Sequence, residues 1–250
     1  MSNHLSLRSG NPVLKANTFI KRQTTIDTGT MTITGTVNKT ALGLLLLMTT
    51  AIFTWNMAPT DPRMSALMMV GIFGGLIAAI ITVFKRHLAP YTTPIYALLE
   101  GLALGGISRF FETLYPGIVN QAVFLTFGTL AALLFAYQSG LIKPTENFKL
   151  GIVAATGGIF FVYIISFILG LFGVQVPLIH SNSNFGILFS FGVVVIAALN
   201  LVLDFDFIEE GAEIGAPKYM EWFGAFGLLV TLVWLYLEIL HLLAKLQSRR

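Results

Sequence analysis

Seven stretches of this 250-residue chain read as candidate membrane-crossing helices, and no other feature narrows its predicted fold so far. They cover 40–58, 64–84, 94–111, 118–138, 150–173, 184–206 and 220–246. A helix needs about 20 mainly apolar residues to span the hydrocarbon. The connections are short and rich in breakers: "MAPTDPR" (57–63), "KRHLAPYTTP" (85–94), "LYPG" (114–117), "KPTEN" (143–147), "GVQVPLIHSNSN" (173–184) and "EEGAEIGAPK" (209–218). Irregular backbone exposed to lipid leaves N–H and C=O groups unsatisfied, so Pro and Gly gather outside the spans. The predicted fold is an all-α membrane protein, a seven-transmembrane helix bundle over 40–246. A polar tail over 1–39 precedes it and a basic end over 247–250 follows. The third span is the least apolar, because it holds Glu100, Ser108 and several glycines.

Composition supports lipid as the main partner. Hydrophobic residues make up 55% of the chain and charged residues 11%, against about 25% charged in a soluble domain. The tail carries Arg8, Lys15, Lys21, Arg22 and Lys39 and has no apolar core of the signal-peptide kind. The first apolar run therefore reads as an uncleaved anchor. With the tail inside, ten of the fifteen Lys and Arg fall on the cytoplasmic side, which favours a cytoplasmic N-terminus. The basic residues are dispersed, so no nucleic-acid partner is expected. There is no cysteine, which excludes disulfides and thiolate-bound metals. The four histidines (His4, His87, His180 and His241) are far apart and form no His-Glu-x-x-His motif. No pair of Asp-centred motifs of the intramembrane-protease kind is present either, so the chain does not read as an enzyme.

Small residues are dense in "GIFGGLIAA" (71–79), "GLALGGIS" (101–108) and "GIVAATGG" (151–158). They read as helix-packing faces, where close backbone approach replaces the hydrophobic effect. No strand precedes them and no Lys follows in the position a phosphate-binding loop requires.

The chemistry rests on the few ionisable residues within spans: Glu100, Asp204, Asp206, Glu238 and His241. A charge at the bilayer centre costs roughly 2.5 kcal/mol or more, so such residues pair, protonate or line a wet cavity. Asp204 and Asp206 point about 200° apart on a helix and cannot share one partner. Asp206 reads as an interfacial residue that opens the acidic run Glu209, Glu210, Glu213, and Asp204 as the deeper, functional one. Glu238 lies well inside the last span, with His241 on the same face. Two carboxyl groups brought together in a poorly hydrated place share a proton and titrate as a pair. Such a pair is a pH sensor, and when ionised it attracts a hard cation such as Ca²⁺. Counting residues sets Asp204 and Glu238 at different heights in a simple antiparallel hairpin. The glutamate lies about 28 Å along a helix that starts at Tyr219, whereas Asp204 is near the loop end of its own helix. They meet only if the last helix begins well outside the bilayer or 207–228 folds back.

"EGLALGGISRFFETLYPGIVNQAVFLTFGT" (100–129), "LDFDFIEEG" (203–211) and "LYLEIL" (235–240), in this order and spacing, resemble the Bax inhibitor-1 (transmembrane Bax inhibitor motif) family, and most closely its bacterial YccA-like branch. The resemblance implies a seven-helix bundle with the last helix at its centre. It also implies a pH-sensitive Ca²⁺ leak gated by a carboxylate pair, here Asp204 and Glu238, which would bind Ca²⁺ as the transported ion and not as a cofactor. Glu100, Asp206 and His241 are candidates for the cation path. The YccA-like branch implies an alternative, a non-conducting regulator of a membrane AAA protease that uses its polar tail. The expected location is the bacterial plasma membrane.

Overall fold

The structure, a computed structural model, describes residues 29–173 and 183–249. The tail through residue 28, most of the loop between the fifth and sixth apolar runs, and Arg250 lie outside the described residues. The described residues form seven α-helices, in order α1 (Ile33–Trp55), α2 (Pro62–Phe84), α3 (Ala89–Leu114), α4 (Ile118–Gln138), α5 (Glu146–Leu171), α6 (Asn184–Glu213) and α7 (Met220–Gln247). All but α3 are long and apolar enough to cross a membrane. Among the described residues there is no strand, and one isolated antiparallel bridge joins Thr30 to Pro217.

Caps explain where the helices begin. Thr32, Asp61, Thr145 and Ser183 each accept a hydrogen bond from a backbone N–H in the first turn of the helix that follows, which satisfies one of its orphan donors. Thr32 starts α1 at Ile33, so residues 33–39, read from the sequence as tail, are helical. That stretch looks like a loop because of its threonines. Thr36 and Thr40, however, return their hydroxyls to the carbonyls of Thr32 and Thr36, at 3.0 and 2.9 Å, and stay within the helix. Glu112 caps α4 from the end of α3, accepting from Gly117 N at 2.6 Å and Val119 N at 3.1 Å.

Two further boundaries differ from the sequence reading. Helix α3 starts at Ala89 and runs through Pro94, read as a loop residue. That proline lies near the N-terminus, so its missing N–H leaves only one backbone acceptor without its bond. Helix α6 continues to Glu213, past the expected end at 206, and stops where Gly215 takes φ 65°. Its last two turns carry the acidic run and need no lipid-compatible surface.

Contacts at the helix ends sort the bundle into two faces. At one, the start of α1 meets the start of α7 through Lys39 and Glu221. Arg86 stacks on Phe223 at 5.1 Å, and the end of α4 meets the end of α6 through Tyr137 and Glu209. At the other face, Arg109 lies over Trp55, and Lys245 near the end of α7 reaches Ser190 near the start of α6. Large apolar side chains such as Phe84, Phe124, Phe135, Phe161 and Phe167 stand exposed on the flanks. In water these would be a liability, and against lipid they are solvated.

The core lies along α7, which packs against α1, α3, α4 and α6. Leu201, Leu229, Leu235 and Leu240 are fully buried there. The least apolar helix, α3, is held by α1, α2 and α7. Its small residues allow this. A Cβ added at Gly101 would lie 2.2 Å from the carbonyl oxygen of Leu47, and one at Gly105 would lie 2.1 Å from that of Ala51. Gly105→Ala should therefore destabilise the bundle by ~1–3 kcal/mol, visible as a lower thermal midpoint in detergent. Gly128→Ala, with nothing within 4 Å of the added carbon, should leave it unchanged.

Candidate functional site

The acids of α6 and α7 face different neighbours. Asp204 is set against α7: its Oδ1 would lie 3.4 Å from a Cβ on Gly227, and the side chain of Thr231 is its polar neighbour. Its Oδ2 is buried and has no hydrogen-bond partner among the described residues. Asp206 points away to α5, where Lys149 Nζ lies 2.5 Å from its Oδ2. The roughly opposed directions expected for residues two apart are thus realised.

Glu238 has partners of its own. Its Oε1 accepts from the Tyr163 hydroxyl at 2.8 Å and from Trp234 Nε1 at 3.2 Å. The side chain is buried, with 6% of its surface exposed. Thr231 and Glu238 are seven residues apart on one helix, which is ~10 Å along its axis. Asp204 and Glu238 are therefore not brought into a shared hydrogen bond. The expected carboxylate pair corresponds to two separate positions at different depths. The physical reason is the continuity of α7, which is one helix from Met220 to Gln247 and never folds back.

Periodicity nevertheless links these positions. Gly227, Thr231, Trp234, Glu238, His241 and Lys245 follow at intervals of three and four and share one stripe of α7. Across from them, Lys149, Thr156 and Tyr163 recur every seven residues on α5 and bond in turn to Asp206, Asn200 and Glu238. Asn200 Nδ2 donates to Thr156 Oγ1 at 2.8 Å. A polar seam thus runs between α5, α6 and α7 from one face of the bundle to the other. At the far face it meets a cavity of about 430 Å³ lined by Tyr163, Ser190, Glu238, His241 and Lys245. Lys245 Nζ donates to Ser190 Oγ at 2.7 Å and to Gly186 O at 3.2 Å, tying α7 to the start of α6. His241 is on the cavity wall with its ring edge-on to Phe111, centroids 5.3 Å apart.

Glu100 lies outside this seam. Its carboxylate rests against α2, where a Cβ added at Gly75 would come within 2.8 Å of Oε2. It is a separate position on α3 and is not brought together with Asp204, Asp206, Glu238 or His241.

The most heavily bonded carboxylate is one that sequence reasoning passed over. Glu221, in the first turn of α7, has a fully buried side chain. It pairs with Lys39 of α1 and, at 2.7 Å, with Lys218. Both the backbone N–H and the hydroxyl of Thr32 donate to its Oε1, at 3.0 and 2.8 Å. Next to it Met31 N donates to Ala216 O at 2.7 Å, and the Met31 side chain wedges between Gly211 of α6 and Gly224 of α7. The entry to α1 is thereby fastened to the α6–α7 connection. The signals available in the sequence were Thr32 as a cap and the heptad of polar residues on α5. Both are visible only when the apolar pattern is set aside.

A family described as Bax inhibitor 1 like has a sequence model that matches residues 11–248. Neither a curated protein nor a solved structure matches the chain.

The Glu221 cluster makes an asymmetric prediction. Lys39→Met leaves a fully buried carboxylate without one of its two cations and should cost about 2–3 kcal/mol. Lys218→Met removes an ammonium whose side chain is 46% exposed and should cost about 1 kcal/mol or less. Chemical or thermal unfolding in detergent separates the two.

Proposed function

The chain belongs to the Bax inhibitor 1 like family, and from that premise we propose that it is a pH-sensitive cation leak protein of the bacterial plasma membrane. In this reading all seven helices cross the bilayer, α7 is the central one, the N-terminus is cytoplasmic and no reaction is catalysed. The observation that carries it is the polar seam along α5, α6 and α7. Such a line of groups is too costly to keep in a lipid-facing bundle without a use.

Asp204 and Glu238 act as two successive stations and not as one dyad. Asp204 offers a buried oxygen, Oδ2, that no donor among the described residues satisfies. Glu238 sits on the cavity, held in place by the neutral donors Tyr163 and Trp234. Carboxylate, hydroxyl and amide oxygens suit a hard cation, and Ca²⁺ is the ion this donor set favours. Protons compete with a cation for the same oxygens, so acidification weakens binding at both stations. Asp206, paired with Lys149, and His241, on the cavity wall, flank the route at its two ends.

Purified protein in liposomes should pass Ca²⁺, and the flux should fall as pH is lowered. Glu238→Gln and Asp204→Asn should each reduce it about 5-fold or more, the effect of ~1 kcal/mol on a barrier, and should flatten the pH dependence. Wild-type flux from both variants together would eliminate the route.

A second reading, a non-conducting regulator of a membrane protease, draws on the attachment of Thr30 and Met31 to the α6–α7 connection. These two residues fix the entry to α1 at one face of the bundle. Deleting residues 1–28, which spares Thr32 and the Glu221 cluster, should then abolish capture of the protease by the purified protein and leave Ca²⁺ flux untouched.

A further inference from the structure

A second cavity, of about 240 Å³, opens on the flank between α1 and α4. Leu44, Met48, Ile52 and Trp55 form one wall, and Val123 and Phe127 the other. Its floor holds Ser108 and Tyr236, whose hydroxyls bond each other at 2.6 Å and so present little unsatisfied polarity. From Leu44 to Trp55 the groove follows three turns of α1, ~16 Å, from mid-helix to the far face. It is an elongated, almost wholly apolar slot.

At the far end of this slot is a cation that forms no ion pair among the described residues. The Arg109 guanidinium lies over the Trp55 ring, 5.7 Å from its centroid, and its buried Nε has no hydrogen-bond partner among the described residues. The acids nearby in sequence are committed elsewhere. Glu112 spends both oxygens on the backbone N–H groups of Gly117 and Val119. Asp61 is bound to Arg63 at 2.8 Å. An aromatic ring and a basic side chain at a helix end mark the headgroup level of a bilayer. A planar guanidinium there matches the two oxygens of a phosphodiester.

We propose that the α1–α4 groove holds one acyl chain of an anionic phospholipid whose phosphodiester is bound by Arg109. A zwitterionic lipid carries its own ammonium next to the phosphate and gains less from the guanidinium. This site shares no residue with the α5–α6–α7 seam, so its test is independent of the leak.

Delipidated protein in detergent, titrated with phosphatidylglycerol or phosphatidylcholine of matched chains and read by native mass spectrometry, decides the matter. The wild type should retain one phosphatidylglycerol about 10-fold more tightly than phosphatidylcholine, as a charge-assisted hydrogen bond implies. Arg109→Gln should bring phosphatidylglycerol down to the phosphatidylcholine level, and Arg109→Lys should restore part of the preference. Val123→Trp, which fills the slot from a position 37% exposed to the surroundings, should weaken both lipids alike. Equal retention of the two lipids by the wild type, or a preference that survives Arg109→Gln, would overturn the assignment.

Discussion

Most polar side chains described in this bundle find their hydrogen-bond partners within the protein, because hydrocarbon supplies neither donors nor acceptors. The constraint shows first in the threonines, which return their hydroxyls to the carbonyl one turn back, as Thr40, Thr82 and Thr126 do. It shows again in the paired hydroxyls of Ser108 and Tyr236 and in the amide of Asn200. The charged groups follow the same rule at greater stakes. Glu221 gathers two lysines and a threonine, Glu238 a tyrosine and a tryptophan, and Asp206 a lysine. Where the rule is broken, at Asp204 Oδ2 and Arg109 Nε, the exceptions coincide with the two places where a ligand is proposed.

Packing and polarity divide the work between helices. The exposed flanks of α4 and α5 are apolar and carry little burial, while α7 is enclosed by α1, α3, α4 and α6. Helix α3 can be the least apolar of the seven because its neighbours, and not lipid, cover most of it. Its glycines bring the backbone of α1 within contact at Leu47 and Ala51. At the end where the chain enters, the Glu221 cluster fastens α1 to α7, so the two helices furthest apart in sequence start side by side. At the other end Lys245 ties α7 to α6. The polar seam runs between these two fastenings.

Much of this was legible beforehand. Seven apolar runs predicted seven helices, and the breakers between them put most ends within a few residues. Asp204 and Asp206 were expected to diverge and do, one to Thr231 and the other to Lys149. The misplaced boundaries, at Ile33, Ala89 and Glu213, share a cause. Hydropathy marks where lipid stops, whereas a helix stops where its backbone caps do. Threonines, a proline in the sixth helical position and an acidic run all look like loop, and all are tolerated near an end that leaves the hydrocarbon.

Apolar runs and the scarcity of charge were enough, read along the chain, to establish a helical membrane protein and to single out its acids, because those properties belong to each segment separately. Which acids meet which partners belongs to the assembled bundle. Asp204 and Glu238 stand at different depths because α7 is one continuous helix, and Glu221 is the best-bonded carboxylate because α1 happens to begin beside it. Partner choice depends on the relative height and rotation of helices that are distant in sequence, and no single helix carries that information.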